Sequence, residues 1–212
     1  MDVVPINWSV VLVGSWNPAI LTPSGIAKKL YRLESGLKLE IEVPLDGLAP
    51  HRVRHPSGDF IVTADNERIR ILLEKLTFDA LAHAQATAVN ALESLPETPV
   101  SAMGINVDFK ITDPPQDLIA MFGSPIDGKL SDLSLKIISH QLKRAIEFKS
   151  GVLNIILSLP DRQGPLMMDL NFHKSSAKHD ELKAWGTIPA MEIEAMVQKI
   201  TKALNLDEGN TQ

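Results

Sequence analysis

The chain has 212 residues, of which 44% are hydrophobic and 22% are charged, a composition typical of a soluble globular protein with a sizeable core. Its formal net charge of −5, without an acidic or basic tail, argues against general electrostatic attraction to nucleic acid or to anionic lipid. There is no cysteine, which excludes disulfides, thiolate metal sites and a cysteine nucleophile.

The first half of the chain predicts one strand, a short helix, four further strands and a long helix. The opening strand is a β-branched run that ends at Gly14, and the short helix carries Ile26, Leu30 and Leu33 on one face. The long helix begins after Thr77, a favourable N-cap residue. The predicted bounds are 8–15 for the first strand, 24–33 for the short helix, 37–43, 52–55, 60–64 and 68–73 for the other strands, and 77–95 for the long helix.

The second half predicts the same order of elements. A long strand leads to a short helix, four strands follow, and a last amphipathic helix carries Ile193 and Ile200 on one face. Residues 174–186 are interpreted as an insertion that forms an exposed loop, and residues 206–212 as a disordered tail. The predicted bounds are 100–111, 133–140, 142–149, 152–159 and 166–173 for the strands, and 113–122 and 188–204 for the helices.

Two local patterns recur between the halves and indicate an internal duplication. The run Leu37-Lys38-Leu39-Glu40-Ile41 reappears in pattern as Leu133-Ser134-Leu135-Lys136-Ile137, an offset of 96 residues (133 minus 37). A Ser57-Gly58 turn is answered by Ser150-Gly151, an offset of 93 (150 minus 57). Because the two offsets are nearly constant, the two runs and turns are expected at equivalent places in two similar units.

This element order resembles that of TATA-box-binding-protein-like folds, in which two such units share one curved antiparallel sheet with helices on its convex side. The resemblance covers nearly the whole chain but concerns element order only. None of that family's DNA-contacting residues can be matched here, so no DNA-binding activity is implied. We therefore expect an α+β fold: a duplicated strand–helix–four strands–helix unit, with copies in residues 1–99 and 100–212, that forms a curved antiparallel sheet with helices on one face.

Four arginines predict a basic strand face. Arg52 and Arg54 are two residues apart, as are Arg68 and Arg70, so each pair points to one side of its strand. On neighbouring strands, four guanidiniums would form a surface suited to phosphate or carboxylate. The interpretation we favour is a solvated face that is balanced by glutamates and protects the strands from aggregation. The protein is acidic, and no stacking aromatic residue lies among these arginines.

A polar strand face is the second candidate site. Asp169, Asn171 and His173 alternate onto one side of a predicted strand, and a polar segment follows them. Histidine with carboxylates is suited to acid–base catalysis or to metal binding. However, the spacing fits no standard metal motif, and the sequence has no phosphate-binding glycine loop or nucleophile elbow. We therefore favour an exposed loop after this strand, and we predict no metal and no cofactor.

The sequence contains no motif of reaction chemistry and does not define a function by itself. The leading hypothesis is a non-enzymatic cytoplasmic binding or assembly protein that uses an extended sheet face to bind a protein partner, a second copy of itself or a small ligand. One alternative is a nucleic-acid-associated protein that uses the arginine-bearing face. The other is a hydrolase-like enzyme centred on His173 and the following loop.

The start of the chain bears on its location in the cell. It lacks the basic residues of a signal peptide, and no apolar run approaches the roughly 20 residues of a membrane span. We therefore expect a cytoplasmic protein without membrane contact, and we do not expect nucleic acid as its partner.

Overall fold

The structure, a computed structural model, describes residues 2–34, 38–45, 49–160 and 164–206. The described strands form one antiparallel sheet in the order β2-β3-β4-β5-β1-β6-β9-β8-β7. In chain order the elements are β1 (Asp2–Gly14), α1 (Pro23–Lys29), β2 (Glu40–Glu42), β3 (Arg52–Arg54), β4 (Phe60–Ala64), β5 (Arg68–Leu73), α2 (Phe78–Ser94), β6 (Val100–Thr112), α3 (Gln116–Ala120), α4 (Pro125–Asp132), β7 (His140–Phe148), β8 (Gly151–Leu159), β9 (Leu166–Ser175), α5 (His179–Gly186) and α6 (Ala190–Ala203).

The strand order is nearly symmetric about the centre of the sheet. β1 and β6, each 13 residues long, pair there, and they are flanked by β5 and β9, then by β4 and β8, then by β3 and β7. The Ser57-Gly58 turn lies between β3 and β4, and Ser150-Gly151 lies where the chain turns from β7 into β8, so the matched turns occupy equivalent places. The predicted α+β fold with a single antiparallel sheet is confirmed.

The second half has one strand fewer than predicted. Residues 133–139 do not form a strand, because α4 ends at Asp132 and β7 begins at His140. The prediction of strands at 133–140 and 142–149 was wrong for a simple reason. Only Gln141 separates them, whereas a hairpin between antiparallel neighbours needs a loop of at least two residues. A single strand therefore spans this position. Of the matching run in the first half, Glu40 and Ile41 lie in β2, and Leu37 lies outside the described residues.

The helices pack on one face of the sheet, as predicted. α2 contacts β1 and β5, α5 contacts β6 and β9, and α2 also contacts both α5 and α6. The predicted apolar stripes of α2 and α6 are buried at Leu81, Leu92, Ile193 and Ile200, and Leu204 is partly buried just beyond α6. Within the described part of the chain, no helix is long and apolar enough to cross a membrane.

The segment after β9 is a helix rather than the predicted exposed loop. β9 continues to Ser175, and α5 follows at His179–Gly186. Leu182 and Trp185 of this helix are 0% and 1% exposed, and the Trp185 ring lies 5.9 Å from that of Phe148. Because these two apolar residues are three positions apart, they lie on one face of the helix, which contacts β6 and β9. They are easily overlooked in a segment whose other residues are mostly polar.

Both ends of the chain also differ from the prediction. β1 begins at Asp2 rather than at Trp8, and its register with β6 shifts between Ile6 and Ser9. Asn7 lies at this irregularity with a φ of 50°. The alternation before the irregularity is therefore out of phase with the alternation after it, which hides the first part of the strand. At the other end Leu206 is buried, whereas the rest of the predicted tail lies outside the described residues.

Candidate binding face

All seven predicted site residues lie on the face of the sheet opposite the helices, which we call the open face. The strand registers arrange this face in rows. One row contains Glu42, Arg52, Thr63, Arg70, Val11, Gly104, His173 and Val152. The next contains Glu40, Arg54, Ile61, Leu72, Ser9, Asn106, Asn171 and Asn154. A third contains Ile6, Asp108, Asp169, Ile156 and Lys143, and Arg68 lies opposite Val13.

The four arginines share the open face, but each of them is paired with a carboxylate. The shortest N–O distances for three of the pairs are 3.2 Å from Arg52 to Glu42, 3.1 Å from Arg68 to Glu67 and 3.7 Å from Arg70 to Asp65. Arg54 contacts Glu40 at 3.2 Å, Glu42 at 3.3 Å and also Glu74. The guanidinium charges are therefore balanced within the first half of the sheet.

A ladder of amide side chains crosses the second half of the open face. Asn154 Nδ2 donates to Asn171 Oδ1 at 3.2 Å, and Asn171 Nδ2 donates to Asn106 Oδ1 at 2.6 Å. Asn106 Nδ2 then donates to Ser9 Oγ at 3.0 Å. Because each of these bonds uses one amide proton of its asparagine, the second proton has no acceptor among the described residues and could bind a ligand. We call these four residues the amide ladder.

Beside the amide ladder lie two carboxylates, Asp108 on β6 and Asp169 on β9, which are direct neighbours in the strand register. Among the described residues, no basic side chain forms an ion pair with either of them. Burial, followed by repulsion from Asp169, raises the pKa of Asp108 to about 7. Burial also raises the pKa of Asp169. The two carboxyl groups thus lie together without a compensating cation from the described chain, and the charged form of each is disfavoured.

The raised pKa of Asp108 predicts a pH-dependent loss of stability. Because the folded-state pKa of Asp108 lies above the ordinary value of 3.8, the folded protein binds this proton more tightly than the unfolded chain does. The stability that the bound proton contributes is complete below about pH 4 and is lost as the pH rises through about 7. The full shift would correspond to about 4 kcal/mol, but solvent screening of this partly exposed group reduces the expected effect to about 1–2 kcal/mol. Asp108→Asn should therefore be more stable than the wild type at about pH 8 and nearly equal to it at about pH 4.

Urea unfolding followed by circular dichroism across this pH range measures the difference. Asp132→Asn, at an exposed position beyond the sheet, is the matched control and should follow the wild type. Parallel pH profiles for Asp108→Asn and the wild type would show that the Asp108 carboxyl is not destabilised by its surroundings.

The structure separates His173 from the polar segment that follows it in sequence. His173 Nε2 lies 2.8 Å from Ser175 Oγ on the open face. His179, by contrast, lies on the helix side, where its ring nitrogens are 3.2 Å from the Leu92 carbonyl oxygen and 2.8 Å from that of Thr98. The residues of the hypothetical hydrolase site are therefore not brought together. In the described ranges, no group of three or more His, Asp or Glu side chains is placed to hold a metal ion.

Sequence reasoning found Asp169 and Asn171 but missed their partners Asn106 and Asp108. A signal was present: Asn106-Val107-Asp108 and Asp169-Leu170-Asn171 place the same polar residue types two apart in otherwise apolar strands. In antiparallel neighbours, these two runs of opposite order set Asn against Asn and Asp against Asp. Asn154 carries no comparable local signal.

Comparisons with known proteins find 16 solved chains of similar structure. No protein-family model matches the chain, and no curated protein matches it. A solved structure, "Methanococcus jannaschii TBP", is similar over 97% of this chain and 99% of that chain, with 9% sequence identity and a TM-score of 0.33. That protein is a TBP, and the element order of this sequence resembles that of TATA-box-binding-protein-like folds. At this TM-score no conclusion about function follows from it, and the architecture of the protein rests on its own strand order.

Proposed function

We propose that this is a non-enzymatic binding protein whose open face binds a protein partner that presents basic side chains to Asp108 and Asp169. One observation carries the proposal: two neighbouring carboxylates lie on the sheet face opposite the helices, without a basic partner among the described residues. A lysine or arginine from a partner would supply the missing charge, and such charge-assisted hydrogen bonds are stronger than neutral ones.

The surroundings of the two carboxylates suit a protein surface. The amide ladder offers donors and acceptors to a backbone or to polar side chains. Ile156 and Met167, which are half-buried on the same face, offer apolar contact. Apolar groups mixed with a few convergent polar groups are the usual composition of a protein–protein interface.

The open face is poorly suited to nucleic acid. Its arginines are paired with carboxylates, and its centre is acidic. The aromatic side chains of the described strands (Trp8, Phe60, Phe109, Phe148 and Phe172) are buried in the core and cannot stack on bases. Binding to phosphates would require the arginines to exchange their carboxylate partners.

A direct test measures the binding of an octalysine peptide by calorimetry at about pH 8, where Asp108 is ionised. The wild type should bind the peptide, and Asp108→Asn/Asp169→Asn should weaken binding by about tenfold or more, equivalent to about 1.4 kcal/mol. The control Glu97→Gln/Asp132→Asn removes the same amount of charge at two exposed positions away from the open face. Equal weakening in both double variants would show only general attraction to an acidic protein and would contradict the proposal.

A second arm uses a fluorescent DNA duplex at physiological salt. We expect no saturable binding by the wild type. Micromolar binding that is lost in Arg54→Ser/Arg70→Ser would replace the protein partner with nucleic acid and would identify the arginines as the contact surface.

A further inference from the structure

β7 is a nine-residue strand at one edge of the sheet. Its counterpart in the first half, β3, is paired on its outer side with β2. Among the described residues, none pairs with the outer side of β7. The preceding residues 133–139 cannot fold back onto β7 as β2 does onto β3, because they lead directly into the strand without a loop. Every second residue of β7 therefore presents its backbone N–H and C=O groups to solvent.

We infer that this edge pairs with β7 of a second copy of the chain, so that two sheets join into one continuous antiparallel sheet. A two-fold axis perpendicular to the sheet keeps the helices of both copies on one side. The register is then set by the one residue of β7 that lies opposite its own counterpart at the axis. Centring the axis on Lys143, Arg144 or Glu147 places like charges directly opposite one another, which is unfavourable.

Centring the axis on Ala145 gives a complementary edge. Lys143 then lies opposite Glu147 of the second copy, and by symmetry Glu147 lies opposite Lys143. On the helix side of the sheet, Leu142 lies opposite Phe148 of the second copy. Lys143, Ala145 and Glu147 are all exposed in the single chain, so their side chains are accessible to a partner.

Lysine and arginine on an edge strand usually prevent such pairing. In this register, however, Lys143 lies opposite the negatively charged Glu147 of the second copy. The segment that leads into β7 also exposes large apolar side chains, with Leu133, Leu135 and Ile138 at 70%, 54% and 77% exposure. A cluster of this kind is characteristic of an interaction surface, and pairing along β7 brings the second copy next to it.

Sedimentation velocity of the full chain over a range of concentrations tests this inference. The wild type should form a concentration-dependent dimer. Lys143→Glu and Glu147→Lys should each weaken the dimer by about tenfold or more, because each places like charges opposite one another twice. The combined variant Lys143→Glu/Glu147→Lys should restore wild-type association, since it exchanges the charges and keeps the pairs. Lys110→Glu, an exposed change on the open face away from β7, is the control and should not alter the dimer.

Three results would overturn the inference: a monomeric wild type at every concentration, a dimer that neither single change weakens, or a double variant that remains as dissociated as the single variants. This self-pairing is separate from the proposed function, because β8 lies between β7 and the strand that carries Asp169. Asp108→Asn/Asp169→Asn should therefore dimerise normally even if it no longer binds octalysine.

Discussion

Replacing Trp185 by alanine will lower the free energy of unfolding by about 3–5 kcal/mol, the range for truncating a buried large aromatic residue. Trp185 is 1% exposed and packs edge-on against Phe148. It also lies over Gly151, where an added Cβ would come within 2.8 Å of the Trp185 ring. Truncation therefore opens a cavity between α5 and the sheet that surrounding backbone cannot easily fill.

Urea unfolding followed by circular dichroism measures this change. Met191→Ala is the control, because Met191 is 71% exposed and its truncation should alter stability by no more than about 0.5 kcal/mol. If Trp185→Ala behaved like Met191→Ala, α5 would not be docked, and the loop predicted from the sequence would be the better description.

Replacing Leu92 by alanine will cost about 2–5 kcal/mol. Leu92 is 1% exposed on α2. This helix contacts β1 and β5 from the first half and α5 and α6 from the second, so a cavity at Leu92 weakens the packing between the two halves. The same unfolding experiment measures the loss. The matched control is Leu45→Ala, which removes the same atoms from a fully exposed side chain.

The Leu92 result also tests the helical phase that the sequence predicted. Costs for Leu92→Ala and Leu45→Ala that agree within about 0.5 kcal/mol would mean that this face of α2 does not point into the core.

Elements with strong local periodicity could be predicted from the sequence alone. Arg68–Leu73 alternates charged or half-exposed residues with buried ones, and its predicted bounds are those of β5. α2 combines a long apolar stripe with the Thr77 cap, which accepts a hydrogen bond from Ala80 N at 3.2 Å. Both signals arise from residues within a few positions of one another, so no knowledge of the tertiary fold is needed.

The missing strand of the second half shows where a local pattern misleads. Residues 133–137 alternate like a strand, but alternation does not supply a neighbour with which to pair. The preceding helix α4 had a readable start, since Ser124 and Asp127 form a capping box and Pro125 occupies the first helical position. This signal predicts a helix after Ser124, and therefore a next strand that begins closer to His140.

The candidate site was predictable only within one strand. Asp169, Asn171 and His173 share a face because side chains alternate along β9, which is a local property. Their association with Asn106, Asp108 and Asn154 depends on the registers of β6 and β8 against β9. These registers join residues that are far apart in sequence, so neither the amide ladder nor the carboxylate pair could be derived from periodicity.

Photo-crosslinking in cells that express the protein shows directly whether the open face binds a protein partner. A photoreactive amino acid is placed at Met167, beside Asp169 on the open face, or at Met191 on the exposed side of α6. We expect the probe at Met167 to attach to a protein rich in lysine and arginine. Asp108→Asn/Asp169→Asn should abolish this product, and the probe at Met191 should not form it. Protein crosslinks from Met191 but not from Met167, or attachment of nucleic acid at Met167, would show that the open face is not a surface for a protein partner.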